Sequence, residues 1–147
     1  MASLHQARAG LSLSGISQYL VALGGFTDHT QATSEIYSLR TNKWRDLACL
    51  KTARSRPGSC VLPSMRAYCF FGLQEGNKDS RIIQTQQLFR DRAWTTLSLE
   101  RKAEASNDLC ALSCGGKILV FGGTSKENKT MQKFSEEGKL IGEETKH

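Results

Sequence analysis

Three stretches of the chain share one pattern of apolar and polar positions. "YLVALGGF" (Tyr19–Phe26), "AYCFFGLQ" (Ala67–Gln74) and "KILVFGGT" (Lys117–Thr124) are each a continuous apolar run closed by glycine. Runs this short suit strands buried on both faces, and their Val, Tyr, Phe and Ile content with glycine at the end favours strand over helix. The closing residues are Gly24-Gly25, Gly122-Gly123 and, in the middle copy, Phe71-Gly72.

Other features recur in step. Gly25, Gly72 and Gly123 lie 47 and 51 residues apart. After each comes a polar loop and then a semi-apolar stretch. The first stretch carries Tyr37 and Trp44, the second Leu88 and Trp94, the third Phe134 with Leu140 or Ile141 in place of tryptophan. Upstream, "LACLKTARSRPGSCVL" (Leu47–Leu62) matches the beginning of the chain, "MASLHQARAGLSL" (Met1–Leu13). A third, looser version runs from Thr95 to Leu112.

Each unit therefore reads as four short antiparallel strands. The first lies at Leu11–Leu13, Cys60–Leu62 or Leu109–Leu112. The second is the glycine-closed run, the third carries Tyr37, Leu88 or Phe134, and the fourth carries Trp44 or Trp94. The expected boundaries are residues 10–50, 57–98 and 105–143, with 1–9 the end of a preceding unit. A four-stranded sheet apolar on both faces must stack on neighbours, and radial stacking of such sheets gives a β-propeller.

An apolar run, Gly-Gly, a polar loop, then Tyr and Trp about seven residues apart, at a period near 50, resembles the kelch repeat. The match is fullest in Tyr19–Trp44, with Gly24, Gly25, Tyr37 and Trp44. The second unit keeps Gly72 and Trp94, and the third keeps Gly122 and Gly123 with Phe134 for tyrosine. The resemblance implies an all-β fold, a partial β-propeller of about three four-stranded antiparallel kelch-type blades. Three units are few for a ring. The chain is then part of a longer propeller, or assembles with a second copy, or is a half-open array whose end sheets a partner covers. Phe71 and Leu88 depart from the pattern together, which reads as a compensated repacking between neighbouring sheets.

Composition adds little and excludes some classes. The net charge is +6 with only two prolines among 147 residues. No basic run of five to eight residues appears, which disfavours nucleic-acid binding; a nucleic-acid or ribonucleoprotein component is an alternative suggested only by the net charge. Five cysteines with no CxxC pair argue against a disulfide framework or zinc knuckle and read as reduced core residues of a cytoplasmic protein. No apolar run is long enough to span a bilayer. His5, His29 and His147 are dispersed in sequence, and no P-loop, dinucleotide or Gly-x-Ser-x-Gly signature is present. No cofactor, metal or catalytic residue is expected. Copper oxidases built on kelch-like propellers are the enzyme alternative the resemblance offers, and their Tyr/Cys/His site has no placeable counterpart.

The remaining chemistry is in the loops. The inter-unit loops repeat an arginine, as Arg8, Arg54 and Arg101, with Lys51, Arg56 and Lys102 nearby; neighbouring loops add His29, Asn77, Lys78, Arg81, Lys126 and Lys129. Loops on a rigid scaffold are the usual place for binding residues. One reading is a basic face that takes an acidic or phosphorylated segment of a partner protein through charge-assisted bonds, in an adaptor or scaffold role. The other is that the repeated arginine is structural and bonds loop carbonyls.

Overall fold

The structure, a computed structural model, describes residues 1–76, 78–98, 107–123 and 130–145. It is all-β, with no helix among the described residues, and therefore none there long and apolar enough to cross a membrane. Three four-stranded antiparallel sheets follow one another along the chain. The first contains β1 (Ser12–Ile16), β2 (Tyr19–Leu23), β3 (Ser34–Ser38) and β4 (Lys43–Asp46). The second contains β5 (Gly58–Val61), β6 (Arg66–Phe70), β9 (Ile83–Gln87) and β10 (Thr95–Leu97), and a two-stranded ribbon, β7 (Leu73–Gln74) with β8 (Lys78–Asp79), sits in its central loop. The third contains β11 (Leu109–Cys114), β12 (Lys117–Gly122), β13 (Thr130–Ser135) and β14 (Leu140–Thr145). In each sheet the strands pair in sequence order.

The glycine-closed runs are second strands, and the middle one shows why it is continuously apolar. On β6, Ala67 and Cys69 join a cluster with Val21, Leu23 and Ile36 of the first sheet. Tyr68 and Phe70, pointing the other way, pack with Ile118, Val120 and Phe134 of the third. Burying a side chain such as Phe70 contributes about 1.5–3 kcal/mol. The sheets adjoin through their first strands, β1 against β5 and β5 against β11. Between β1 and β5, the Ser59 hydroxyl bonds those of Ser12 (2.6 Å) and Ser14.

Equivalent bonds repeat from unit to unit. The Trp44 indole N–H donates to Ala2 O (2.9 Å) and the Trp94 indole N–H to Ala48 O (2.8 Å), so the stretches matched in sequence do the same work. Gly24 (φ +62°) and Gly25 (φ +117°) are needed where the chain leaves β2. A Cβ on Gly24 would collide with the Arg54 carbonyl oxygen, and one on Gly25 would sit 2.9 Å from Ala9 O. Gly72 (φ +94°) meets Ser55 O in the same way, at 2.7 Å.

Cross-strand register corrects two sequence readings. Tyr37 lies opposite Leu20 and Trp44, and the residue opposite Ala67, the counterpart of Leu20, is Gln86. Gln86 and not Leu88 therefore occupies the tyrosine position. It is buried, and its amide N–H donates to Asp91 O (3.0 Å), where the Tyr37 hydroxyl donates to Asn42 (2.7 Å). Phe71 and Leu88 do not compensate each other, because they belong to different clusters. Phe71 packs with Phe70 and Phe134 between the second and third sheets, and Leu88 packs between the first and second. In the third unit the register places Phe134 opposite Ile118 and Leu140, so Leu140 takes the tryptophan position. The cysteines are all free, but only Cys60 and Cys69 are core residues; Cys49, Cys110 and Cys114 are exposed.

The two faces of the stack differ. The free face of the first sheet carries Ala22, Tyr37 and Trp44 beneath Ala2 and Leu4. That of the third exposes Leu112 and Phe121, at 38% and 36%. Phe121, one residue before the closing glycines, is the positional counterpart of Leu23 and Phe70, both of which the next sheet covers.

Candidate functional site

The loops between second and third strands meet the loops between units at one end of the sheets. Their backbones interlock: Gly25 N–H donates to Arg54 O (2.9 Å), Arg54 N–H to Gln31 O (3.0 Å), and Ser55 and Leu73 exchange a pair of bonds (2.8 and 2.7 Å). Thr30 adds a hydroxyl bond to the Glu75 carboxylate (2.8 Å), tying the loop of one unit to that of the next.

Within this face Gly10, Arg56 and Asp108 hold equivalent left-handed conformations, with φ of +58°, +52° and +56°. They are linked head to tail, Asp108 N–H to Arg56 O (3.0 Å) and Arg56 N–H to Gly10 O (2.6 Å). Around this line lies a concavity of about 520 Å³, lined by Ala9, Gly10, Phe26, Ser55, Arg56, Leu73 and Asn107. Phe26 is 45% exposed, although it immediately follows the closing glycines. The Arg56 side chain is 53% exposed and reaches Asp108 at 3.3 Å. The arrangement is an apolar anchor beside an accessible cation, on a backbone held by interlocking bonds.

The basic residues read from sequence separate into two groups. Lys51, Arg56, His29 and Arg81 are exposed at this end. Arg8 and Arg54 are not part of an accessible face. The Arg54 side chain is fully buried and donates to Thr52 O (3.2 Å), Phe71 O (3.1 Å), Ile82 O (2.7 Å) and Gln84 Oε1 (3.1 Å). Burial pulls its pKa down, opposed by the neighbouring Cys69 thiol. Arg8 is its counterpart one unit earlier: its side chain has 0% exposure, pairs with Glu35 at 3.0 Å and donates to the Thr33 hydroxyl at 2.7 Å. Glu35 and Gln84 are equivalent across the register, opposite Ala22 and Cys69. Arg54 thus satisfies carbonyls beneath the loop, whereas Arg8 holds a buried carboxylate and a hydroxyl one unit earlier. Arg101, Lys102, Asn77, Lys126 and Lys129 lie outside the described residues.

The fold also assembles groups that the sequence leaves apart. His5 Nδ1 lies 2.8 Å from Asp46 Oδ1 and 3.7 Å from Glu35 Oε2, and the three ligand-bearing atoms fall within 4.8 Å of one another. Hydrogen bonding to Asp46 raises the His5 pKa. This donor set suits a divalent cation in kind, but Glu35 is already engaged by Arg8 and by the His5 amide (2.9 Å), which makes it a structural carboxylate. Among the thiols, burial pushes Cys60 up to about 12 and raises Cys69 as well, so neither is poised as a nucleophile.

Neither the protein-family models nor the curated proteins contain a match to this chain.

Proposed function

We propose that the chain is a non-enzymatic protein-interaction module whose three sheets are kelch-type blades of a β-propeller, serving as a cytoplasmic adaptor or scaffold. The partner contributes an acidic segment that enters the concavity around Phe26, Leu73 and Arg56. The observation that carries this reading is the pairing of a half-exposed aromatic ring with an accessible guanidinium, on loops locked by interlocking backbone bonds. Apolar anchors beside a charged group are where binding energy concentrates, and a preorganised backbone reduces the entropy lost on binding. Arg56 can exchange its exposed bond to Asp108 for a partner carboxylate at small cost, since an exposed ion pair is worth at most about 1 kcal/mol. Lys51, His29 and Arg81 extend the same charge outward.

The propeller reading is supported by the first-strand contacts between successive sheets and by the repeated tryptophan and glycine contacts. On that reading the open face of the third sheet, with Leu112 and Phe121, receives a further sheet of the same kind, from a longer chain or a second copy.

Selection of a displayed peptide library on the purified chain tests the binding reading. The expected consensus is an aromatic or aliphatic residue next to Asp or Glu. Phe26→Ala should weaken the selected peptide at least tenfold, and Arg56→Glu should remove binding. Selection of neutral or basic peptides, or unchanged affinity in both variants, would overturn the proposal.

A further inference from the structure

A second groove, of about 310 Å³, opens where the turns of the first and second sheets meet. Its walls include Tyr19, Ser38, Arg40, Lys43, Arg45 and Phe89. Arg45 and Lys43 alternate along β4, opposite Ile36 and Ser38, so both project into the groove about 6.8 Å apart. Arg40 comes from the preceding turn. Among the described residues none of these three cations forms an ion pair, and no carboxylate lines the groove. The acidic residues of the first sheet, Glu35 and Asp46, belong to the opposite face of that sheet, where they meet His5 and Arg8.

The aromatic wall is unusual in its backbone. Phe89 holds φ +64°, a strained conformation for a bulky residue, and yet the residue is 64% exposed. The ring packs tilted on Tyr19, with centroids 5.1 Å apart and planes at 57°. A strained aromatic held out to solvent beside three unpaired cations is poorly explained by folding alone.

We propose that this groove binds single-stranded nucleic acid without sequence preference. One base stacks on the exposed face of Phe89, and the phosphates run along Arg40, Lys43 and Arg45. Stacking platforms combined with a line of positive charge are the general solution to this recognition problem, since every base has a π-face and every nucleotide a phosphate. The site is separate from the loop-end concavity and independent of what binds there. A short basic run in the sequence is unnecessary, because the fold gathers residues from a turn, alternate positions of one strand and a turn of the next sheet.

Fluorescence anisotropy with a labelled twelve-nucleotide oligouridine tests the proposal on the intact chain. Three phosphate contacts give a log–log salt slope of about −2. The double variant Lys43→Gln, Arg45→Gln should reduce this slope to about −0.7, whereas Lys117→Gln, on the third sheet, should leave it unchanged. Phe89→Ala should weaken binding about tenfold, and Phe89→Tyr should restore it, which separates stacking from loss of structure. The proposal fails if oligouridine does not bind, if Phe89→Ala binds like wild type, or if a phosphopeptide of the same charge binds more tightly. An equal loss in Phe89→Ala and Phe89→Tyr would also overturn it.

Discussion

Phe71 occupies the position where the other two units place a glycine, and replacing it with glycine separates two opposed effects. The residue holds φ +52° and is 1% exposed, with ring centroids 6.1 Å from Phe70 and 6.4 Å from Phe134. Removing a buried phenylalanine ring costs about 3–5 kcal/mol in lost transfer energy and cavity. Relieving the left-handed strain returns about 1 kcal/mol, after allowing for the greater freedom of glycine in the unfolded chain. Phe71→Gly should therefore destabilise by about 2–4 kcal/mol. Phe71→Ala, which loses the ring and keeps the strain, should be about 1 kcal/mol worse still. Urea unfolding followed by tryptophan fluorescence measures both, with the two variants compared at equal m-value. A Phe71→Gly protein at or above wild-type stability would show that the ring does not join the second and third sheets. A Phe71→Ala protein more stable than Phe71→Gly would show that the backbone there is not left-handed.

Arg54→Met removes the donor to the Thr52 and Phe71 carbonyls and the Gln84 amide oxygen, leaves Ile82 O with the Phe71 N–H alone, and should cost about 3 kcal/mol or more by the same unfolding assay; a loss below 1 kcal/mol would mean the guanidinium is not buried among them. The pKa of His5 is raised, chiefly by its hydrogen bond to Asp46, so the protonated pair favours the folded state below the ordinary histidine value and this contribution fades as pH rises through the folded value. Asp46→Asn should move the His5 titration, followed by NMR, to lower pH; an unmoved midpoint would remove Asp46 as the cause. Thiol alkylation at pH 8 should modify Cys49, Cys110 and Cys114 rapidly, and Cys60 and Cys69 only on unfolding; equal rates at all five would contradict the placement of the core.

The strand pattern was legible because glycine and the apolar runs act locally. A chain leaving a buried strand against a neighbouring carbonyl needs glycine, so Gly25, Gly72 and Gly123 mark the ends of three second strands whatever surrounds them. The tryptophan positions were legible for the same reason, since Trp44 and Trp94 each bond the carbonyl of a matching alanine. Position 86 was not legible. A glutamine there makes the turn contact that a tyrosine hydroxyl makes in the first unit, and Leu88, two residues on and of the same parity, is the more conspicuous apolar residue. Phe71 and Leu88 both depart from the pattern, which suggests a pair; only the packing shows that they look toward different sheets. Charge was the least legible property. A recurring arginine in a loop gives no sign of whether it points outward or caps carbonyls beneath the loop. Arg54 does the latter, Arg8 pairs with the Glu35 carboxylate beneath the loop, and Arg56, two residues from Arg54, is exposed. The groove at Phe89 leaves no mark in the sequence, because two of its cations alternate along a strand and the three never form a run.

Stacking of successive sheets through their first strands is what creates the loop face, the concavity and the basic groove, and it can be tested by cross-linking. Ser12 and Ser59 lie on different sheets, 47 residues apart in sequence, and their hydroxyl oxygens are 2.6 Å apart. In a Cys60→Ala background, Ser12→Cys and Ser59→Cys should form a disulfide under mild oxidation of the folded protein, identified by mass spectrometry of the joined peptides. Residues 12 and 59 remaining unlinked, or linked only to other cysteines, would contradict the stacked arrangement.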